Sequence, residues 1–161
     1  MAPISIDRNA RPLTDGECSL VGRVFGSAID CEPVRIHRFK WWMWQPAWVT
    51  MAPDGHLWFH PNGGVWSADF SAESIWTRAH FVHEMVHVWQ HQNGVNLIFR
   101  RWPLARYAYL PLQPGKPFTA YGIEQQAEIV KDAWLLSEGV ALRDRPDLEV
   151  YRALLPFPIA A

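Results

Sequence analysis

Long apolar runs are what this 161-residue chain most plainly lacks. Nowhere do about eighteen apolar residues follow one another, so no membrane-spanning helix is expected. The opening stretch MAPISIDRNARPLTDG has no apolar core of the kind a secretory signal peptide needs, and Sec export is not expected either. Cysteine is scarce. Cys18 and Cys31 are the only two and form no C-x-x-C pair, which argues against a disulfide scaffold or a thiolate zinc site; both are expected as reduced core residues. An excess of one charge is missing too: fifteen Lys plus Arg against sixteen Asp plus Glu leave a formal charge of -1, so no basic field attracts a polyphosphate and nucleic acid is not an expected partner. Internal repeats, low-complexity tracts and linkers are absent, and residues 1–161 read as a single domain.

What is present is a globular composition, 49% apolar and 19% charged, with an unusual number of tryptophans. There are ten, and those from Trp41 to Trp76 crowd one part of the chain. Indoles that large fill a small core quickly, which is the expected role; the other use is to line a groove that grips a peptide or a sugar.

The spacing of apolar and turn residues gives an α+β order. Thr14 to Glu17 has the T-x-x-E spacing of a capping box and leads into Leu20, Val21, Val24, Phe25 and Ala28, predicting a helix over 15–28. Val34 and Ile36 alternate with Arg35 and His37, and 48–52 and 56–59 flank a Pro53-Asp54-Gly55 turn, predicting a strand and a hairpin in a small antiparallel sheet. Residues 75–92 carry neither Gly nor Pro and stop at Asn93-Gly94, the signature of a central helix. Residues 95–120 are broken by Pro103, Pro111, Pro114 and Pro117 and predict an ordered loop or lid. Helical spacing resumes over 121–138, and 146–155 predicts a short last helix.

Inside the central helix, residues 83–87 read His-Glu-Met-Val-His. Four residues of helix turn through about 400° and rise about 6 Å, so His83 and His87 share a face and can share an ion. Glu84 is rotated by about 100° from His83, is not a ligand, and is placed to act as general base on water. The bland alternative, two histidines on a solvated face, is weakened because Val82, Met85, Val86 and Trp89 already form the apolar stripe. A catalytic zinc needs a third protein ligand and an open position. Glu124, Glu128 and Asp132 stand at i, i+4 and i+8 of the later helix, an acidic row that repels itself unless a cation or donors hold it. Glu124 is the expected third ligand and Glu128 the expected hydrogen-bond partner of a ligating imidazole, with the reverse assignment open. Gln90 and Asn93 stand where a metzincin needs Gly and His, which excludes that class. His80 and His91 are expected to bond locally. For the oxyanion donor Tyr121 is the named candidate because it precedes Glu124 by three residues, with Tyr107, Tyr109, His60 and Arg106 also open. His56 to His60 is a candidate edge strand for an extended peptide.

These residues resemble the gluzincin class of zinc metallopeptidases, in which H-E-x-x-H on one helix is completed by a Glu on a later one. More closely, AHFVHEMVHVWQHQNG followed by YGIEQQAEIV, with LTDGE, VFGSAID, VRIH and MAPDGHLWF, resembles the small Vgr-related peptidase-like domains associated with bacterial contractile secretion systems and toxins, over residues 11–139. The resemblance implies a minimal zincin-like fold, Zn2+ on His83, His87 and Glu124, and Glu84 as catalytic base. Such domains carry E-x-x-A-D or E-x-x-A-N, whereas this chain reads Glu124-Gln125-Gln126-Ala127-Glu128, with a longer acid at the last position. The N-E-x-x-S-D signature of thermolysin-type enzymes is absent.

The function expected is therefore a zinc-dependent hydrolase, a peptidase acting on a protein or on a peptidoglycan stem peptide. The chain is expected to be made in the cytoplasm, with export by a contractile (type VI) secretion system as the route the resemblance implies. Two rivals stand beside it: a non-catalytic zinc-containing accessory or adaptor bound to a secretion spike or phage-like particle, and a regulatory protease that cuts a repressor.

Overall fold

The computed structural model describes residues 10–100 and 106–160. The stretch of the proline-rich segment from 101 to 105 lies outside the described residues. The architecture is mixed α+β: five α-helices and a three-stranded sheet among the described residues.

Helix α1, Asp15–Phe25, begins as its capping box requires, with the Thr14 hydroxyl accepting from the Glu17 amide at 3.0 Å and the Glu17 carboxylate accepting from the Thr14 amide at 2.8 Å. It stops three residues short of the predicted end because Gly26 turns to φ +62°, a conformation open to glycine and adverse to other residues. Glu17 is buried, and it is also held by Arg11 through two 2.8 Å contacts and by the Phe70 amide at 2.8 Å, so its charge has partners on every side.

The sheet corrects the expectation of an antiparallel one. Strand β1, Arg11–Pro12, is antiparallel to β2, Arg35–His37, but β2 runs parallel to β3, Leu57–Trp58. Residues 38–56 form a long crossover that brings the chain back to start β3 in the direction of β2, and a parallel pair needs such a crossover. Of the predicted 48–52 strand only the isolated antiparallel bridge of Met51 to Trp58 survives, closed by a turn in which Gly55 takes φ +82°.

Helix α2, Ile75–Gln92, matches its predicted span: the Ser74 hydroxyl accepts from the Thr77 amide, and Gly94 closes it at φ +79°. Residues 81–88 of α2 are buried without a break, so this helix is the centre of the molecule. A short helix α3, Leu97–Arg100, follows. Helix α4, Ile123–Ser137, packs against α2 more extensively than any other pair of elements, and α5, Leu148–Leu154, closes on α4. Ala127, Val130, Ala133 and Trp134 of α4 join Val82, Met85 and Val86 of α2 in the core, and Phe59, Phe70 and Phe81 stack at 5.0 and 5.3 Å to tie the sheet to α2. The tryptophans divide: Trp41, Trp58 and Trp134 are buried as predicted, whereas Trp44, Trp48 and Trp76 are exposed. Cys18 and Cys31 are free thiols, half-buried against the core.

Candidate metal centre

The crossing of α2 over α4 decides the site. His83 and His87 leave α2 one turn apart and point at Glu124, in the first turn of α4, and all three are buried. Glu124 Oε2 lies 3.3 Å from His83 Nε2 and 3.2 Å from His87 Nε2, and the three ligand atoms lie within 4.8 Å of one another. A tetrahedron with bonds of about 2.0–2.1 Å has edges of about 3.3 Å, so these separations fit a divalent ion seated among them. The three residues are a site that can hold a metal.

The chemistry of the donors points the same way. His87 Nδ1 is 2.8 Å from Gln90 Oε1. The orientation of that amide is dictated by carbonyls: Gln90 Nε2 donates to Ile123 O at 3.0 Å and to Gln126 Oε1 at 2.8 Å, while Gln126 Nε2 donates to Tyr121 O at 2.9 Å. Because backbone carbonyls only accept, each amide has one orientation, Gln90 presents oxygen to the ring, and His87 carries its proton on Nδ1. With Nδ1 engaged by Gln90, Nε2 is the nitrogen turned to Glu124 Oε2 at 3.2 Å, and in the neutral ring it offers its lone pair to a cation seated between them.

His83 is held likewise. Its Nδ1 lies 3.0 Å from Glu128 Oε1, and Glu128 is itself held by Lys131 Nζ at 2.6 Å. Burial pushes the His83 ring downward, but the hydrogen bonds to Glu124 and Glu128 outweigh it and hold its pKa up at about 9. Burial raises the Glu128 carboxyl, and the hydrogen bonds from His83 and Lys131 prevail and bring it down to about 2. A proton on His83 and a dication therefore compete for the same focus.

The structure thus brings His83, His87 and Glu124 together, with Glu128 behind His83. Glu84 is buried on the same helix, and its Oε2 has no hydrogen-bond partner among the described residues. Glu84 lines a cavity of about 540 Å³ in which His80, His83, Tyr107, Glu128 and Arg145 share the walls with apolar side chains such as Trp48, Trp76 and Leu135. His80 takes part in a 2.8 Å hydrogen bond with the Thr50 hydroxyl, and burial lowers its pKa. A second cavity of about 480 Å³ meets the other side of the centre, where His87 and Glu124 line it.

Tyr121 is not brought to this focus: its ring lines a different cavity, its hydroxyl accepts from the Gln113 amide at 3.2 Å, and it reaches the centre only through its carbonyl on Gln126. The turn before α4 places its side chain on the far side of the helix start. Tyr107 stands there instead, half-exposed, its ring centroid 6.4 Å from that of His83. Asp132, the third acid of the row, turns away to Tyr109 and Arg145. His60 serves a local turn, accepting from the Asn62 amide, whereas His56, just ahead of β3, ties it to β2 by accepting from the Arg35 amide across the sheet. Gln90 and Gln126 escaped the sequence reading; the one available signal was the i+3 spacing of Gln90 from a ligand.

No family model matches the chain. It is 44% identical over 134 residues to the type VI secretion system spike protein VgrG2b of Pseudomonas aeruginosa strain PAO1, a match that covers 78% of this chain and spans 13% of that protein's length. Among solved structures it is similar to the effector domain of Pseudomonas aeruginosa VgrG2b, with a TM-score of 0.72, 38% identity, and coverage of 83% of this chain and 78% of that one.

Proposed function

This chain belongs to the family of the VgrG2b effector domain, and from that premise we propose that it is a zinc-dependent hydrolase of gluzincin type that cuts peptide bonds as an effector of a type VI secretion system. The observation that carries the reading is the convergence of His83, His87 and Glu124 beside a buried Glu84 with an unengaged oxygen. Two imidazoles and one carboxylate are the ligand set of catalytic zinc, which leaves a fourth position open. The helix bearing the imidazoles, crossed by the helix bearing the acid and flanked by a small sheet, is read as a minimal zincin-like fold.

His83, His87 and Glu124 would hold the ion, which when bound supplies Lewis acidity to a carbonyl and makes water a nucleophile near neutral pH. Glu128 and Gln90 keep the two rings turned with Nε2 toward the ion. Glu84 accepts the proton of the attacking water and returns it to the departing amine, a role that suits a carboxylate oxygen free to receive it. Tyr107, rather than Tyr121, is the side chain placed to donate to the oxygen of the attacked carbonyl. The exported spike is the proposed carrier, by similarity to a spike protein's effector domain.

Glu84→Gln tests the reading. The variant is expected to retain one equivalent of zinc by elemental analysis and to lose cleavage of a peptide pool by at least about a hundredfold. A Glu84→Gln protein that still cleaves at the parental rate refutes Glu84 as the base, and a zinc-loaded parent protein that cleaves nothing refutes the hydrolase and leaves the adaptor reading in its place.

A further inference from the structure

The centre lies between two cavities of different character. On one side is the cavity with Glu84, whose walls mix polar and apolar side chains. On the other, every lining residue apart from His87 and Glu124 is apolar or aromatic, including Trp41, Trp42, Met51, Leu97, Ile98 and Ile123. Val49 borders both, so the segment that carries the exposed indoles forms one continuous wall past the ligands.

We infer that the apolar cavity receives the side chain beside the scissile bond, and that the substrate is a polypeptide with a large apolar residue, such as leucine or phenylalanine, at that position. The inference rests on the hydrolase reading. Fit and solvation both favour such a residue. A cavity of about 480 Å³ is within the range of small-ligand sites, and carbon walls give water little to bond. Alanine would leave most of it unfilled. An acidic side chain would lose its hydration and meet the carboxylate of Glu124. The stem peptides of peptidoglycan, built from alanine, glutamate and diaminopimelate, offer only small or charged side chains, so of the two expected substrate classes the cavity selects the protein. A leucine or phenylalanine displaces the water and buries its own apolar surface directly against the residues that hold the metal.

The test uses zinc-loaded Glu84→Gln protein, its metal verified by elemental analysis, and a set of amino-acid hydroxamates that differ only in the side chain: leucine, phenylalanine, alanine and glutamate. The hydroxamate anchors each at the metal, and calorimetry reads the rest. Leucine and phenylalanine are expected to bind roughly ten- to hundredfold more tightly than alanine, with glutamate weakest. Ile98 is half-exposed at the cavity edge, so Ile98→Glu spares the core and is expected to abolish that ranking with zinc content unchanged. Equal affinities across the set, or a preference for alanine or glutamate, overturn the inference; the latter is stem-peptide chemistry. Failure of the underlying reading looks different. A protein that retains no zinc brings down both, and a parent protein that cleaves nothing in a peptide pool while the ranking persists refutes hydrolysis and with it the scissile bond, leaving only a cavity that prefers an apolar side chain.

Discussion

Gln90 is the residue whose replacement tests most directly how the centre is held. It is wholly buried and touches no ligand-binding space, yet its oxygen fixes the tautomer of His87 and its nitrogen ties α2 to Ile123 O and Gln126. Gln90→Leu removes the acceptor and leaves His87 Nδ1, Ile123 O and Gln126 Oε1 without that partner. Orienting partners of metal-bound histidine are worth about 10–100-fold in metal affinity, or roughly 1.4–2.8 kcal/mol. The lost buried hydrogen bonds add destabilisation on the order of 1–3 kcal/mol each. Gln90→Glu separates the two effects: it keeps an oxygen for His87 Nδ1 while abolishing donation to Ile123 O and Gln126. Chelator competition followed through Co2+ spectra should give a weakened site in Gln90→Leu and a near-parental one in Gln90→Glu, although both lower the melting temperature of the chelated protein. If the two variants weaken metal binding equally, the amide acts only as packing and the account of the His87 tautomer fails.

The remaining predictions concern protons, the shared wall and the carbonyl oxygen. Because His83 is raised from its ordinary 6.5 to about 9, it contributes stability that is fully present below pH 6.5 and is lost as pH rises through about 9. Chelated protein should therefore melt at progressively lower temperature across that window relative to His83→Gln, while the stabilisation on adding zinc grows as the proton leaves; a flat difference from His83→Gln would count against the buried cluster. A Cβ on Gly63 would stand 2.4 Å from Ala47 O, a backbone atom that cannot swing aside. Gly63→Ala should displace the segment that walls both cavities, cost about 1–3 kcal/mol, and weaken leucine hydroxamate binding at unchanged zinc content, which calorimetry would check. Tyr107→Phe keeps the ring beside His83 and removes the hydroxyl, so kcat should fall by about 10²–10³-fold with little change in KM; an unchanged kcat would exclude it as oxyanion donor.

Helical elements were read well because their signals are local. The T-x-x-E box at Thr14 sits on a real cap, and 75–92 is one helix from Ser74 to Gly94, since capping groups and turn residues act within one turn of the chain. Strand direction was not legible. Whether β3 runs with or against β2 depends on how residues 38–56 travel, and the alternation of side chains is the same either way. Tyr121 misled for a related reason: proximity to Glu124 along the chain says nothing about which side of the helix start a side chain occupies.

By itself the sequence determined that two imidazoles share a helix face and that an acidic row lies on a second helix. The periodicity of a helix is enough for each of those statements. Only the tertiary structure decided which acid meets which nitrogen. Glu124 and Glu128 lie one turn apart on the same face, equivalent by pattern, and the crossing of α4 over α2 places the first at Nε2 of both rings and the second at Nδ1 of His83. The same crossing turned Gln90 and Gln126 inward and set an apolar cavity against the ligands, because packing between distant segments, not spacing along one, selects what a side chain touches.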